Sequence, residues 1–287
     1  MNGSASPLML RRRLRTELRM ARLKSDLTQD QVAKAMEWSL SKMNRIEKAK
    51  SGISINDLKA LLRLYGVTDK ERTEELLALA RAARQTPWWR RYNDVATAEL
   101  LELIDYEFAA STVSQFEPTL VPGILQTEEY ASEVLQAFYG ETSKTERVAA
   151  LVDLRTRRRE LLASVTAPKF SFVLDESVIH RLVGSHAIMS KQLLHLVNVA
   201  ELPNVAIQIV PFAAGLSTGT KGPFKIVRFA DSPDEDIVFI ESPRGDVISD
   251  DPNEVKSYLR AFERITESAL GPSDSVGFLR KAGDDMA

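Results

Sequence analysis

The 287-residue chain contains no cysteine. That excludes disulfides and thiolate metal sites. Long apolar runs are missing too. No stretch approaches about 18 uninterrupted apolar residues, so no segment reads as a membrane-spanning helix. The N-terminus, MNGSASPLMLRRRLR, lacks an apolar core of secretory length before a small-residue cleavage site. These absences lead to the expectation of a soluble, cytoplasmic protein. Histidine is scarce: His180, His186 and His195 are the only three. None forms a closely spaced metal pair of the H-E-x-x-H kind. The Gly-rich GLSTGTKGP (215–223) holds Lys221 but leads into a strand, whereas a phosphate loop leads into a helix. It reads as a loop over a ligand or partner surface. The acidic run DSPDED (231–236) reads as a solvated hairpin tip. No catalytic constellation emerges, so neither enzyme activity nor a cofactor nor a metal is expected.

What is present is charge, unevenly placed. The composition, 44% hydrophobic and 27% charged, suits a globular protein, and the length favours two domains. The net charge of −2 hides a split. Residues 1–92 carry 20 Lys and Arg against 10 Asp and Glu, a balance of +10; the remainder carries 18 against 30, a balance of −12. Such asymmetry points to a nucleic-acid-binding half joined to something else. The alternative is chance segregation of solvated charge.

Five helical segments fit in residues 8–85. LMLRRRLRTELRMARLK presents Leu14, Leu18, Ala21 and the Met20–Leu23 pair as an apolar stripe. TQDQVAKAM opens with Thr28, and Gln31 three residues later completes a capping box. WSLSKMNRIEKAKSG has Ser39 as its N-cap. INDLKALLRLY is preceded by Ser54, has Asp57 in its first turn and ends at Gly66. KERTEELLALARAAR follows Thr68, with Glu71 forming a second capping box. Segments two and three are short and close together, as in a helix-turn-helix, with Ala33 small enough for the crossing.

At 100° per residue, Met43 and Ile46 face inward on the third helix, and Ser41, Asn44, Arg45 and Lys48 form one outward face. None of the four is acidic, which suits an approach to phosphates. Asn pairs bidentately with adenine, Arg with guanine, and Ser serves several bases. The alternative is an ordinary solvated face, which normally mixes both signs. Glu47 falls on the inward side. A buried carboxylate needs a partner, and Arg22 on the first helix is the candidate.

The stretch LTQDQVAKAMEWSLSKMNRIEKAKSGISINDLKALLRLYGV resembles the Cro/repressor-type (XRE) helix-turn-helix. Thr28-Gln29, Ala33, the SKMNRIE run and the ending LYGV carry the likeness. The resemblance implies that the second motif helix enters the major groove. It places Gln29 on phosphate, puts Leu40, Ser41 and Arg45 near base edges, and supports the Arg22–Glu47 pair. With the helix start included, the expected DNA-contact set is Gln29, Ser39, Leu40, Ser41, Lys42, Asn44, Arg45 and Lys48. Two positions depart from the family pattern. Glu37 and Ala49 stand where Gly is common, and each costs on the order of 1 kcal/mol if its backbone is left-handed.

QTPWWRRYND marks the domain boundary, with Pro87 stopping the fifth helix. Trp88, Trp89 and Tyr92, beside Arg90 and Arg91, read as aromatics that dock the domains, or else stack on nucleic acid. The expected organisation is a helix-turn-helix domain at 1–86, an aromatic and basic linker at 87–96, and a mixed α/β domain at 97–287. The last has a small sheet packed by helices, which makes the whole chain α+β. Helices are expected at 97–115, 128–139 (capped by Thr127) and 145–163, with FEPTLVPGILQ an ordered loop between the first two. The basic LRTRRRELL (154–162) reads as a solvated helix face. From residue 169 the period becomes that of strands: KFSFVL, VAIQIV, FKIVRF and DIVFIE, with VIS as an edge strand after the turn SPRGD. Asp175 caps ESVIHRLV, which Gly184 ends. AIMSKQLLHLVNVAEL is a helix, and Asp251, Pro252 and Glu254 open the last, to about Leu270.

The segments LLALARAARQTPWWRRYND, FEPTLVPGILQTEEYA, QLLHLVNVAELPNVAIQIVPFAAG and GPFKIVRF resemble the Scr1-type antitoxin-like regulators of actinomycetes. That likeness implies a transcriptional regulator that works with a small, separately encoded partner protein. The function expected from the whole reading is a sequence-specific DNA-binding regulator, not an enzyme. It acts as a homodimer on double-stranded DNA, and its C-terminal domain binds a partner or effector. The alternative is an antitoxin-like module that sequesters a small partner and uses DNA binding for autoregulation.

Overall fold

The computed structural model describes residues 7–47, 51–140, 145–216, 222–230, 236–242 and 245–287. Lys48, Ala49, most of the Gly-rich and acidic loops and part of SPRGD lie outside them. Two compact units meet in sequence at Trp88 and Trp89.

The N-terminal unit is all helical: α1 (Pro7–Lys24), α2 (Gln29–Ala35), α3 (Leu40–Glu47), α4 (Ile55–Leu64) and α5 (Lys70–Ala82). Leu14 and Leu18 of α1, Val32 of α2, Met43 and Ile46 of α3, Leu58, Leu61 and Leu62 of α4, and Leu76 and Leu77 of α5 share one core. Met20 and Leu23 instead stand exposed; two positions beyond Leu18 is just over half a turn, so Met20 points away from the core stripe. The Thr28–Gln31 capping box forms in both directions, and Ser54 caps α4. α5 departs from expectation by one residue. Asp69, not Thr68, is its N-cap, and its carboxylate accepts from the Glu71 and Arg72 amides at 2.9 and 3.3 Å.

The C-terminal unit is a six-stranded mixed sheet with helices on both faces. Its strands are β1 (Thr112–Glu117), β2 (Lys169–Asp175), β3 (Val205–Val210), β4 (Phe224–Arg228), β5 (Ile237–Ile240) and β6 (Val247–Ser249), in the order β3-β2-β1-β4-β5-β6. β1–β2 and β2–β3 are parallel; the other pairs are antiparallel. β6 is the expected edge strand. The central strand β1 corrects the expected helix at 97–115. Helix α6 (Ala98–Ala109) stops early, and TVSQFE pairs on both edges. Thr112, Val113 and Phe116 suit a pleated surface, and cross-strand pairing overrides the helical pattern that precedes them.

Helices α7 (Glu128–Tyr139), α8 (Thr145–Arg159), α9 (Glu176–His180) and α10 (His186–Val199) lie between strands, and α11 (Pro252–Glu267) and α12 (Pro272–Asp285) follow them. Side chains alternate along each strand, so Val113, Phe172 and Ile207 meet one helical layer, while Phe116, Val173 and Ile226 meet the layer holding α11. α12 was not expected beyond Leu270. It seats Leu279 in the core, and the Ser275 hydroxyl accepts from the Ile209 amide at 3.0 Å. Two of the 87–96 aromatics, Trp89 and Tyr92, serve this unit. Trp89 packs on Phe108 with ring centroids 4.8 Å apart, and the Tyr92 hydroxyl donates to Asp153, which Arg91 also pairs at 2.6 Å.

The basic run is not a solvated face. Arg158 of α8 is buried and donates twice to Glu107 of α6, at 2.6 Å each, and Lys225 of β4 donates to the same carboxylate at 2.6 Å. Burial opposes ionisation of Glu107, but Arg158 and Lys225 outweigh it and hold the carboxyl down at about 2 from its ordinary 4.5. A depressed carboxyl stabilises the fold above its unfolded value and loses that contribution as pH falls from about 4.5 toward 2. We therefore expect Glu107→Ala to cost about 3–5 kcal/mol at neutral pH, because two buried cations lose their counter-charge. The variant should also show a flatter stability curve across that acid window in urea titrations. An unchanged midpoint and an unchanged acid limb would refute the assignment.

Candidate nucleic-acid interface

α3 is held from below by two kinds of contact. Met43 and Ile46 are buried in the helical core. Glu47, also buried, accepts from Arg22 Nε at 2.6 Å and from Arg22 Nη2 at 3.2 Å, a bidentate pair. Arg22 Nη1 reaches the Leu27 carbonyl at 2.8 Å, which ties the α1–α2 connection into the same cluster. The Arg22 guanidinium is raised further above its ordinary range by the Glu47 hydrogen bonds. Burial, followed by the nearby Glu47 charge, pushes the Tyr65 hydroxyl up as well.

The outward residues sort into two groups. Ser41 and Arg45 are exposed and Asn44 is half-buried; none has a side-chain partner among the described residues. Leu40 is 46% exposed at the head of the helix. These four form a carboxylate-free surface on the first two turns of α3. Three others are already engaged. The Ser39 hydroxyl accepts from the Lys42 amide at 3.1 Å and caps the helix. The Lys42 ammonium donates to Asp57 of α4 at 3.1 Å and sits 4.0 Å from the Trp38 ring centroid. The Gln29 side-chain amide donates to Glu47. Gln29 is therefore a third member of the clamp, a role its sequence position at the head of α2 did not suggest. The Trp38–Lys42 spacing of four was a readable sign of the cation–ring contact; the Asp57 partner lies across the next connection.

The turn between α2 and α3 settles one of the two departures from Gly. Glu37 has φ of +55°. Its amide donates to the Lys34 carbonyl at 3.2 Å, and the Trp38 amide to the Ala33 carbonyl at 2.8 Å. A left-handed closing residue of this kind normally favours glycine.

A short helix, a tight left-handed turn and a second helix with a free polar face define a helix-turn-helix DNA-binding domain, and a helix-turn-helix domain model matches residues 13–76. The chain belongs to the family defined by a domain of unknown function (DUF5753), whose model matches residues 100–281. No curated protein and no solved structure matches it. Among the described residues, no helix is long and apolar enough to cross a membrane.

Two substitutions test the scaffold. Glu47→Ala should destabilise the N-terminal unit by about 3–5 kcal/mol, since it strands a buried guanidinium. A double-mutant cycle with Arg22→Ala should show strong coupling, and additive losses would show the pair to be incidental. Glu37→Gly should raise stability by up to about 1 kcal/mol by relieving the left-handed backbone. A lowered denaturation midpoint would mean that the Glu37 side chain contributes more than its backbone costs.

Proposed function

We propose that this protein is a sequence-specific, homodimeric transcription regulator, not an enzyme, and that its C-terminal unit senses a small effector or a partner protein. The observation that carries the reading is the α3 surface. Among the described residues, the side chains of Ser41, Asn44 and Arg45 have no partner, above a helix pinned at Glu47. A helix that reads base edges must be held in fixed orientation, and its reading side chains must not be spent on intramolecular bonds. Arg45 is the best-suited reader of guanine, Asn44 of adenine, and Leu40 offers an apolar contact to a thymine methyl. Ser39, Lys42, Lys48 and the head of α2 at Gln29 suit phosphate contacts, which set register without specifying sequence. Because the Gln29 side chain is turned to Glu47, its backbone N–H at the helix start is the donor we assign to phosphate. One recognition helix reads only a half-site, hence the dimer.

A second reading, an antitoxin-like module that sequesters a small partner protein, is supported by the likeness of the C-terminal segments to the Scr1-type regulators. Co-purification of the full chain with the product of the neighbouring small reading frame separates the two.

Fluorescence anisotropy with DNA from the protein's own promoter tests the first reading. Arg45→Ala should weaken specific binding by about 1–3 kcal/mol and relax preference at one base position. Lys42→Ala should weaken specific and random DNA equally and reduce the salt slope by about one unit. Unchanged preference in the Arg45 variant would remove it from the reading face.

A further inference from the structure

The C-terminal unit contains a cavity of about 300 Å³ between the sheet, α8 and the 121–126 segment. That volume lies at the lower end of the roughly 300–1,000 Å³ typical of small-molecule sites. Strand register builds its floor. Gln115 of β1 stands opposite Lys225 of β4, and Lys225 opposite Phe239 of β5. Two residues further along β1, on the same face, Glu117 extends the polar row, and Glu241, just past the end of β5, also lines the cavity. Val121, Leu135 and Leu151 supply an apolar wall.

The floor has unspent hydrogen-bonding capacity. Gln115 is 3% exposed, and its Nε2 donates to Glu117 at 2.7 Å, but its Oε1 has no partner among the described residues. A buried acceptor left unpaired costs free energy, so this one calls for a donor from within the cavity. Burial first, and the Glu241 charge second, push the Glu117 carboxyl up to about 8, so it is a neutral acid at pH 7 until a cationic donor is set against it. On the α8 side, Arg155 Nη1 donates to Gln126 Oε1 at 2.6 Å, and Arg155 forms no ion pair with a carboxylate among the described residues. Its guanidinium is pushed down to about 10 by burial and then by Arg158. Arg158 and Lys225, by contrast, are already committed to Glu107. The cavity therefore offers acceptors at the sheet and an uncommitted guanidinium at the helix.

We propose that this cavity binds a small amino-acid-like zwitterion, with its ammonium against Gln115, Glu117 and Glu241, its carboxylate against Arg155, and its side chain on the apolar wall. Polarity favours a ligand with a cation at one end and an anion at the other. Gln115, Glu117 and Glu241 line the sheet end of the cavity, and Arg155 its helix end. A lone charge of either sign would engage one end and leave the other unmet. The inference deepens the sensor reading of the C-terminal unit and rests on it only for the consequence at DNA.

Calorimetry on the full-length protein with L-phenylalanine, phenethylamine and 3-phenylpropionate as probes tests the site. L-Phenylalanine should bind at least tenfold tighter than either single-ended isostere. Arg155→Gln should erase its advantage over the amine, and Gln115→Leu its advantage over the acid. Equal affinity for all three probes, or no heat from any of them, would overturn the proposal. Circular dichroism of each variant confirms folding; if either is unfolded, Glu241→Gln at the exposed rim replaces it and should weaken the amine but not the acid. Promoter-DNA anisotropy is then repeated with the bound probe. A bound probe that leaves DNA affinity unchanged supports the pocket and overturns only its role as a sensor.

Discussion

A carboxylate taken out of water must be met by buried donors, and that constraint organises both units. Glu47 illustrates it on α3. Met43 and Ile46 would be satisfied by any rotation that keeps them in the core, because apolar burial has no direction. The bidentate Arg22 pair does have direction, and with Gln29 it leaves Glu47 one orientation. The outward face of α3 is therefore fixed by a polar contact on the opposite side of the same helix. Such a pair adds less to stability than its Coulomb energy suggests, since desolvation takes most of it back. Its contribution is orientation.

Glu107 meets the same constraint with two cations instead of one. Arg158 and Lys225 come from α8 and β4, and the carboxylate from α6, so one buried group ties three elements that are distant in sequence. The consequence reaches the cavity. With Arg158 and Lys225 both bonded to Glu107, Arg155 is left, among the described residues, without a carboxylate partner. The polarity of the pocket thus follows from how the core was balanced.

The helical period alone made the N-terminal unit legible. Glu47 stands out as the inward carboxylate of α3, and Arg22, on the inner side of α1 and supported by the family likeness, as its candidate partner; Arg12 and Arg15 are buried on the same helix. The Gln29–Glu47 bond was not foreseen, because the Gln29 side chain crosses from the head of α2 to the clamp, a move that helix position does not encode. In the C-terminal unit the polar core was not legible. Arg158 reads as one more residue of a basic run until Glu107 and Lys225, 51 residues before it and 67 after, are known to converge there. β1 was hidden for a related reason. Its pattern, TVSQFE, has polar residues on the face that lines the cavity, so Gln115 and Glu117 obscure the alternation that marks a half-buried strand. The groups that make the site useful are the ones that break the pattern. α12 escaped notice because Gly271-Pro272 reads as a stop, although Pro at a first helical position is equally a start.

The opposite charges of the two halves bear on how binding at the C-terminal unit could matter to DNA. The excess of ten positive charges in residues 1–92 supplies attraction to any duplex, whereas the remainder, with an excess of twelve negative charges, opposes nonspecific adherence. Net attraction is then small, and on the proposed reading occupancy depends on the few directed contacts of α3 and on pairing two half-sites. A regulator balanced in this way needs only a small bias. A tenfold change in DNA affinity is about 1.4 kcal/mol, so the proposed ligand need favour one state of the regulator over another by no more than that.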